Sequence, residues 1–189
     1  LPPMVMRGIF MQKLSIYPFQ YNPIEHTLTV TKHIEINLIP KTPETEIFSM
    51  LGSKAFEPIY QQLLTNYSQP DEYQQQAILY ICGGDACDTE AFQALANWRH
   101  QIGFVVYTVS TTTIGSSTQN IKDYIQSAYD NFDPPPEYVT LVGDVGGSFD
   151  IPTYTNYSDC NQLGGGGQGG ASAFGDHPYT LTEGDDLIS

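Results

Sequence analysis

Three short apolar runs, AILYIC (77–82), FVVYTV (104–109) and YVTLVG (138–143), are separated by two segments with helical periodicity. This alternation constrains the fold more than any other feature of the chain. Runs of this length, apolar throughout and bounded by turn residues such as Gly83-Gly84, read as strands buried on both faces. In the first intervening segment Asp88 or Thr89 can cap a helix carrying Phe92, Leu95, Ala96 and Ile102, and Gly103 can end it. In the second, Ser116 or Ser117 starts a helix in which Ile121, Tyr124, Ile125, Ala128, Tyr129 and Phe132 form one apolar stripe. Pro134-Pro135-Pro136 stops it. Strand, helix, strand, helix, strand with short connections predicts an α/β fold: a parallel βαβαβ sheet with right-handed crossovers.

Upstream of this unit the pattern changes. Residues 9–17 and 27–39 alternate with period two, with Leu28, Val30, Ile34, Ile36 and Leu38 on one face of the second run. Pro18 to His26 can turn the chain back, so an antiparallel β-hairpin with one half-buried face is expected. Such a hairpin is marginal alone and must pack on something else. PKTPET (40–45) is a break. Phe48, Leu51, Phe56, Ile59 and Leu63 give residues 46–66 helical spacing, interrupted by Gly52, and 67–76 read as a polar linker. The expected organisation is therefore 1–45 as the hairpin region, 46–76 as helix and linker, and 77–189 as the sheet domain.

Charge and cysteine content narrow the chemistry. The 21 acidic residues outnumber 7 Lys and Arg, for a formal net charge of −14. The 67 residues after Lys122 contain 11 acids and no Lys or Arg. This balance argues against a nucleic-acid partner. It reads either as an acidic solvated surface or as carboxylates neutralised by a bound cation such as calcium. No apolar run approaches the roughly 18–20 residues that span a bilayer. Leu1-Pro2-Pro3 resembles neither a chain start nor a secretory signal, and reads as an internal piece of a longer precursor. The three cysteines, Cys82, Cys87 and Cys160, leave at least one unpaired within the chain, and Cys82 reads as a buried core thiol.

Several motifs invite chemistry. Asp144 follows the third strand, at the carboxyl edge where open α/β sheets gather functional groups. It reads equally as a loop carboxylate or cap. Cys82-Gly83-Gly84-Asp85 closes the first strand at the same edge, but lacks the G-x-G-x-x-G and G-K-[ST] patterns of phosphate cradles. Asp176-His177 suggests a general base, with Cys160 upstream as a nucleophile. Two arguments weigh against that dyad. Adjacent residues on a strand point to opposite faces. A cysteine ahead of GGGGQGG (164–170) also sits on a glycine-rich loop, which holds catalytic geometry poorly. Glu183-Gly184-Asp185-Asp186 offers carboxylates and exposed carbonyls around a turn, the donors hard cations prefer.

YPFQYNPIEHTLTV, YVTLVGD, FGDHPYTLTEGDD and ANWRHQIGF together resemble segments of the gingipain-type cysteine peptidases. The first resembles the last hairpin of their propeptide. The others resemble the first part of their caspase-like catalytic domain. The likeness covers about residues 7–40 and 77–189. It implies a secreted or cell-surface cysteine endopeptidase made as a zymogen, with structural calcium and a His–Cys dyad. A thiolate beside an imidazole attacks the scissile carbonyl while backbone donors hold the oxyanion.

In that family the catalytic His lies in Gly-His-Gly, a triplet absent here. The resemblance therefore places no catalytic residue in this chain and puts the dyad beyond Ser189, so the chain alone is expected to be inactive. It makes Asp144 a calcium ligand, and makes Glu183 and Ile188, through carbonyls, and Asp186, through its carboxylate, ligands of a second site. The partners it implies are protein or peptide substrates of the full-length enzyme and the chain's own downstream catalytic part. Two alternatives stand beside it: a non-catalytic, calcium-stabilised adhesion or assembly module with a degenerate peptidase fold, and a small nucleotide-binding domain.

Overall fold

The computed structural model describes residues 4–7, 9–37, 51–155 and 174–182. Its centre is a three-stranded parallel sheet of β5 (Ala77–Cys82), β6 (Val105–Ser110) and β7 (Tyr138–Val142) in the order β6-β5-β7. Registers run from Ala77 opposite Val105 to Cys82 opposite Ser110, and from Ile78 opposite Tyr138 to Cys82 opposite Val142. The parallel βαβαβ unit is thus as the sequence predicts.

All six residues of β5 are buried. Because side chains alternate along a strand, they divide between two cores. Leu79 and Ile81 join Ile121, Ile125 and Ala128 of α4 (Thr118–Asn131), with Ile151 and Tyr179. Ile78, Tyr80 and Cys82 join Ala86 and Phe92 of α2 (Glu90–Gln101). One helix therefore covers each face of the central strand. Each fully buried Leu or Ile contributes about 1.5–3 kcal/mol, and the edge-to-face pair Tyr80–Phe92, 5.2 Å between centroids, fixes α2 over β5.

The helix ends follow from local chemistry. Thr89 caps α2, its hydroxyl accepting from Phe92 N and donating to Ala86 O at 2.8 Å. Gly103, at φ +99°, allows the chain to leave α2 for β6. Ser117 caps α4, accepting from Asn120 N at 3.1 Å. A short α3 (Thr111–Ile114) links β6 to α4.

The amino-terminal region departs from expectation in several ways. Residues 9–17 do not pair with 27–39. Instead β1 (Met4–Met6) pairs with β2 (Ile9–Met11), and β3 (Phe19–Asn22) pairs with β4 (Thr27–Val30). The β3–β4 turn is made by Asn22, whose Oδ1 accepts from the N–H groups of Ile24 and Glu25. Phe19, Tyr21, Leu28 and Val30 share one face but stay exposed, Leu28 at 59%, because no described residue packs on them. The expected burial of that face is not seen.

The helix expected over 46–66 is reduced to α1 (Glu57–Leu63) among the described residues. Pro58 is tolerated only in the first turn of a helix, which places the start at Glu57. Gly52, upstream, bridges to Tyr73 instead. The 67–76 segment is accordingly no free linker. Gln74 is buried and its amide donates to Pro135 O at 3.1 Å. Beyond the sheet, β8 (Tyr154–Thr155) pairs with β9 (Phe174–Gly175), followed by a 3₁₀ turn at His177–Thr180.

Candidate functional site at the carboxyl edge of the sheet

At the carboxyl edge, β5 and β7 are followed at once by Gly83 and Gly143, and the backbone of Phe149 to Ile151 crosses directly over both. A Cβ at either glycine would land on the Phe149 carbonyl. The crossing is secured by Asp144 N donating to Phe149 O at 3.1 Å and Ile151 N donating to Asp144 O at 3.0 Å. Ile151, buried in the α4-side core, anchors the segment.

Inside this loop two carboxylates act on the backbone. Asp144 Oδ1 accepts from Val145 N at 2.8 Å, and Asp150 Oδ1 accepts from Gly146 N at 2.6 Å. Asp144 and Asp150 are directly bridged and exposed. Asp150 is a residue that sequence reasoning missed. The available signal was a second aspartate just before the apolar Ile151 that returns the chain to the core.

Hard oxygen donors of this kind suit calcium, so Asp144 fits the expected role in chemical kind. Two carboxylates do not complete a shell of six to eight oxygens. Among the described residues, no three of His, Cys, Asp and Glu gather into a metal-holding group. Glu183, Asp186 and Ile188 lie outside the described residues, as do Cys160 and Gly164–Gly170.

The glycine turn after β5 is not an anion cradle. Gly83 N donates to Val142 O at 2.9 Å, and Gly84 N donates to Thr111 Oγ1 at 3.0 Å. Ser110 Oγ donates to Gly84 O. The N–H groups a phosphate would need are already used, which removes the basis for a nucleotide site. Gly83 is there for close backbone approach.

Cys82 is buried as expected, but as a disulfide with Cys87, with Cα atoms 5.6 Å apart. The bond closes the Gly83–Ala86 turn and excludes both sulfurs as thiolate nucleophiles.

Asp176 and His177 are not on a strand, since β9 ends at Gly175 and the pair opens the 3₁₀ turn. Asp176 accepts from Thr153 Oγ1 at 2.8 Å, so this contact ties its carboxylate to the loop after Ile151. Tyr179 in that turn donates to Pro152 O at 2.6 Å. Burial, with Tyr154 and Asp176 nearby, pushes its phenol up to about 12. The turn is also held by Lys122 Nζ, which donates to Pro178 O at 2.9 Å. These contacts make the 176–180 turn a structural brace.

The carboxyl edge is thus a braced scaffold carrying two exposed aspartates, with both described cysteines oxidised. Comparison with known proteins gives it a context. Residues 71–189 match the sequence model of Peptidase family C25, and residues 1–73 match that of its propeptide, Propeptide_C25. Lys-gingipain of Porphyromonas gingivalis is 25% identical over 150 residues, 74% of this chain and 9% of that protein. Gingipain R1 of the same organism is 24% identical over 151 residues, 75% of this chain and 15% of that protein. The chain therefore spans only a small part of the length of these relatives. No solved structure matches it at a significant level. With a propeptide match running directly into a peptidase match over a parallel α/β sheet, the chain belongs to the gingipain-type cysteine peptidases of family C25, covering the end of the propeptide and the N-terminal part of the catalytic region.

Proposed function

We propose that this chain is the N-terminal part of a secreted, gingipain-like cysteine endopeptidase zymogen whose His–Cys dyad lies beyond Ser189. The observation that carries the reading is the tandem match, propeptide over 1–73 followed by peptidase over 71–189, which is the order of a zymogen. A second supports it: the two described cysteines are joined to each other, so no thiolate nucleophile stands among the described residues.

In the full-length protein the chain's part is to support the site. The β6-β5-β7 sheet presents its carboxyl edge, and the Phe149–Ile151 crossing stiffens it. Asp144 would be a calcium ligand there, and bound calcium would neutralise carboxylates that otherwise repel. Glu183, Asp186 and Ile188 are the proposed ligands of a second site. The substrates are proteins or peptides, and the partner of this stretch is the downstream catalytic part. The Cys82–Cys87 disulfide favours an oxidising, extracellular location. No helix among the described residues is long and apolar enough to cross a membrane.

Active-site labelling tests the reading. The natively produced full-length protein is treated with a peptidyl electrophile selective for cysteine peptidases, and the modified cysteine is located by mass spectrometry. Label on a cysteine downstream of residue 189 is expected. No label on a protein with that region intact would sink the peptidase reading and favour a non-catalytic, calcium-stabilised adhesion or assembly module.

A further inference from the structure

We propose that Arg7 is the anchor by which the first strands of the propeptide part grip the rest of the chain, peptidase part included, and that the grip survives a cut made between Arg7 and Phe56. Arg7 sits in the turn between β1 and β2 at φ +46°, a conformation uncommon for a residue with a side chain and characteristic of positions held by their surroundings. Its guanidinium donates to Pro136 O and to Gln74 Oε1, each at 3.3 Å. It lies 5.3 Å from the ring centroid of Phe56 and 5.6 Å from that of Tyr129. Tyr60, buried on α1, holds the same turn by donating its hydroxyl to Met6 O at 3.3 Å.

These contacts cross the family boundary. Arg7, Phe56 and Tyr60 lie in the propeptide match, whereas Gln74, Tyr129 and Pro136 lie in the peptidase match. Arg7, Phe56, Tyr129 and Pro136 line a cavity of about 600 Å³ together with Glu137, Val139 and Tyr179. Glu137 is buried, and its Oε2 is shielded from solvent without a hydrogen-bond partner. Arg7 donates to the carbonyl of the residue immediately before it. Arg7 shares this cavity with the carboxylate, and its own acceptors are the neutral oxygens of Pro136 and Gln74. A guanidinium suits this place better than an ammonium, since the planar fork reaches two acceptors at once and stacks on aromatic rings.

The position of the grip matters. Pro136, Glu137 and Gln74 lie at the amino edge of the sheet, opposite the edge that carries Asp144. The acceptors of Arg7 thus lie at the amino edge, while the cavity it lines runs on to Asp176 and Thr180 of the 3₁₀ turn.

The test inserts a recognition sequence for a site-specific protease between Lys41 and Thr42 of the full chain. The chain is then cut, and release of the amino-terminal piece is followed by size exclusion and mass spectrometry. The piece is expected to stay with the remainder in the otherwise unaltered protein. Arg7→Ala should release it roughly 10- to 100-fold faster, from lost charge-assisted hydrogen bonds and ring contacts. Arg7→Lys, which keeps the charge and the fold, should fall between the two, and Lys13→Ala, at an exposed position, should match the unaltered protein. Immediate release from the unaltered protein, or equal release from the unaltered and Arg7→Lys proteins, would overturn the proposal. Neither readout needs peptidase activity, so failure here leaves the assignment of function standing.

Discussion

The hydroxyl of Ser53 donates to the buried carboxylate of Glu137 across 84 residues of sequence, joining the propeptide match to the residue just before β7. The backbone of Glu137 donates in turn to Ala77 O at 2.9 Å, at the foot of the central strand. Ser53 is therefore the partner of one oxygen of a carboxylate whose other oxygen is sealed from water. Ser53→Ala should cost about 1–3 kcal/mol, because it leaves a buried carboxyl oxygen without its hydrogen-bond partner. Urea unfolding with an unchanged m-value and a lower midpoint would show it. An unchanged midpoint would mean that water reaches Glu137.

Gly83 and Gly143 should tolerate no side chain. Gly83→Ala and Gly143→Ala each drive a methyl group into the Phe149 carbonyl, and overpacking of this kind costs about 1–3 kcal/mol. Gly175→Ala is the control, since nothing among the described residues lies within 4 Å of where its Cβ would stand. Thermal melting of the three variants checks this, with loss expected in the first two only.

The disulfide should matter to stability although its loop is short. Cys82 and Cys87 are five residues apart, and closing so small a loop stabilises by about 2 kcal/mol in the chain-entropy description. For a chain of this size that amounts to a fall in Tm of about 4–8 °C on reduction. Alkylation under denaturing conditions should leave Cys82 and Cys87 unmodified until reductant is added.

Above neutrality Tyr179 sets a limit. Its folded-state value is pushed up to about 12 from an ordinary 10. The unfolded chain therefore loses this proton first as pH rises, and its contribution to stability, complete below pH 10, is lost between about pH 10 and 12. Tyr73 shifts the same way, up to about 12, because it donates to Glu57. Unfolding free energy followed against pH should fall across this window, and Tyr179→Phe should flatten the fall.

Much of the sheet domain was legible because its signals are local. β5 occupies the run predicted for it, β6 and β7 lie within one residue of theirs, and Thr89 and Ser117 are the caps. The stripe from Ile121 to Phe132 faces the core as its spacing requires. Most of what the sequence hid was long-range. Nothing local shows that Gln74 in a polar stretch is buried, since its partners lie at Pro135 and Arg7. Nor does spacing alone reveal that Cys82 pairs with Cys87, or that Gly83 and Gly143 share one crossing strand. The β2–β3 stretch misled for a different reason: period-two alternation gives strand character but not the strand's partner.

Calcium should raise the melting temperature of this chain through Asp144, because a ligand bound only by the folded state stabilises it by about 2.7 kcal/mol at a hundredfold excess over Kd. Asp144→Asn should reduce the shift. Identical melting curves in EDTA and in excess calcium would remove calcium from the account of this stretch.

The most direct test of the central claim is peptide hydrolysis by three proteins: the full-length protein, its Cys160→Ala variant and this chain alone. The account predicts hydrolysis by the first two and none by the third. Hydrolysis by this chain alone, abolished when Cys160 is replaced, would contradict it.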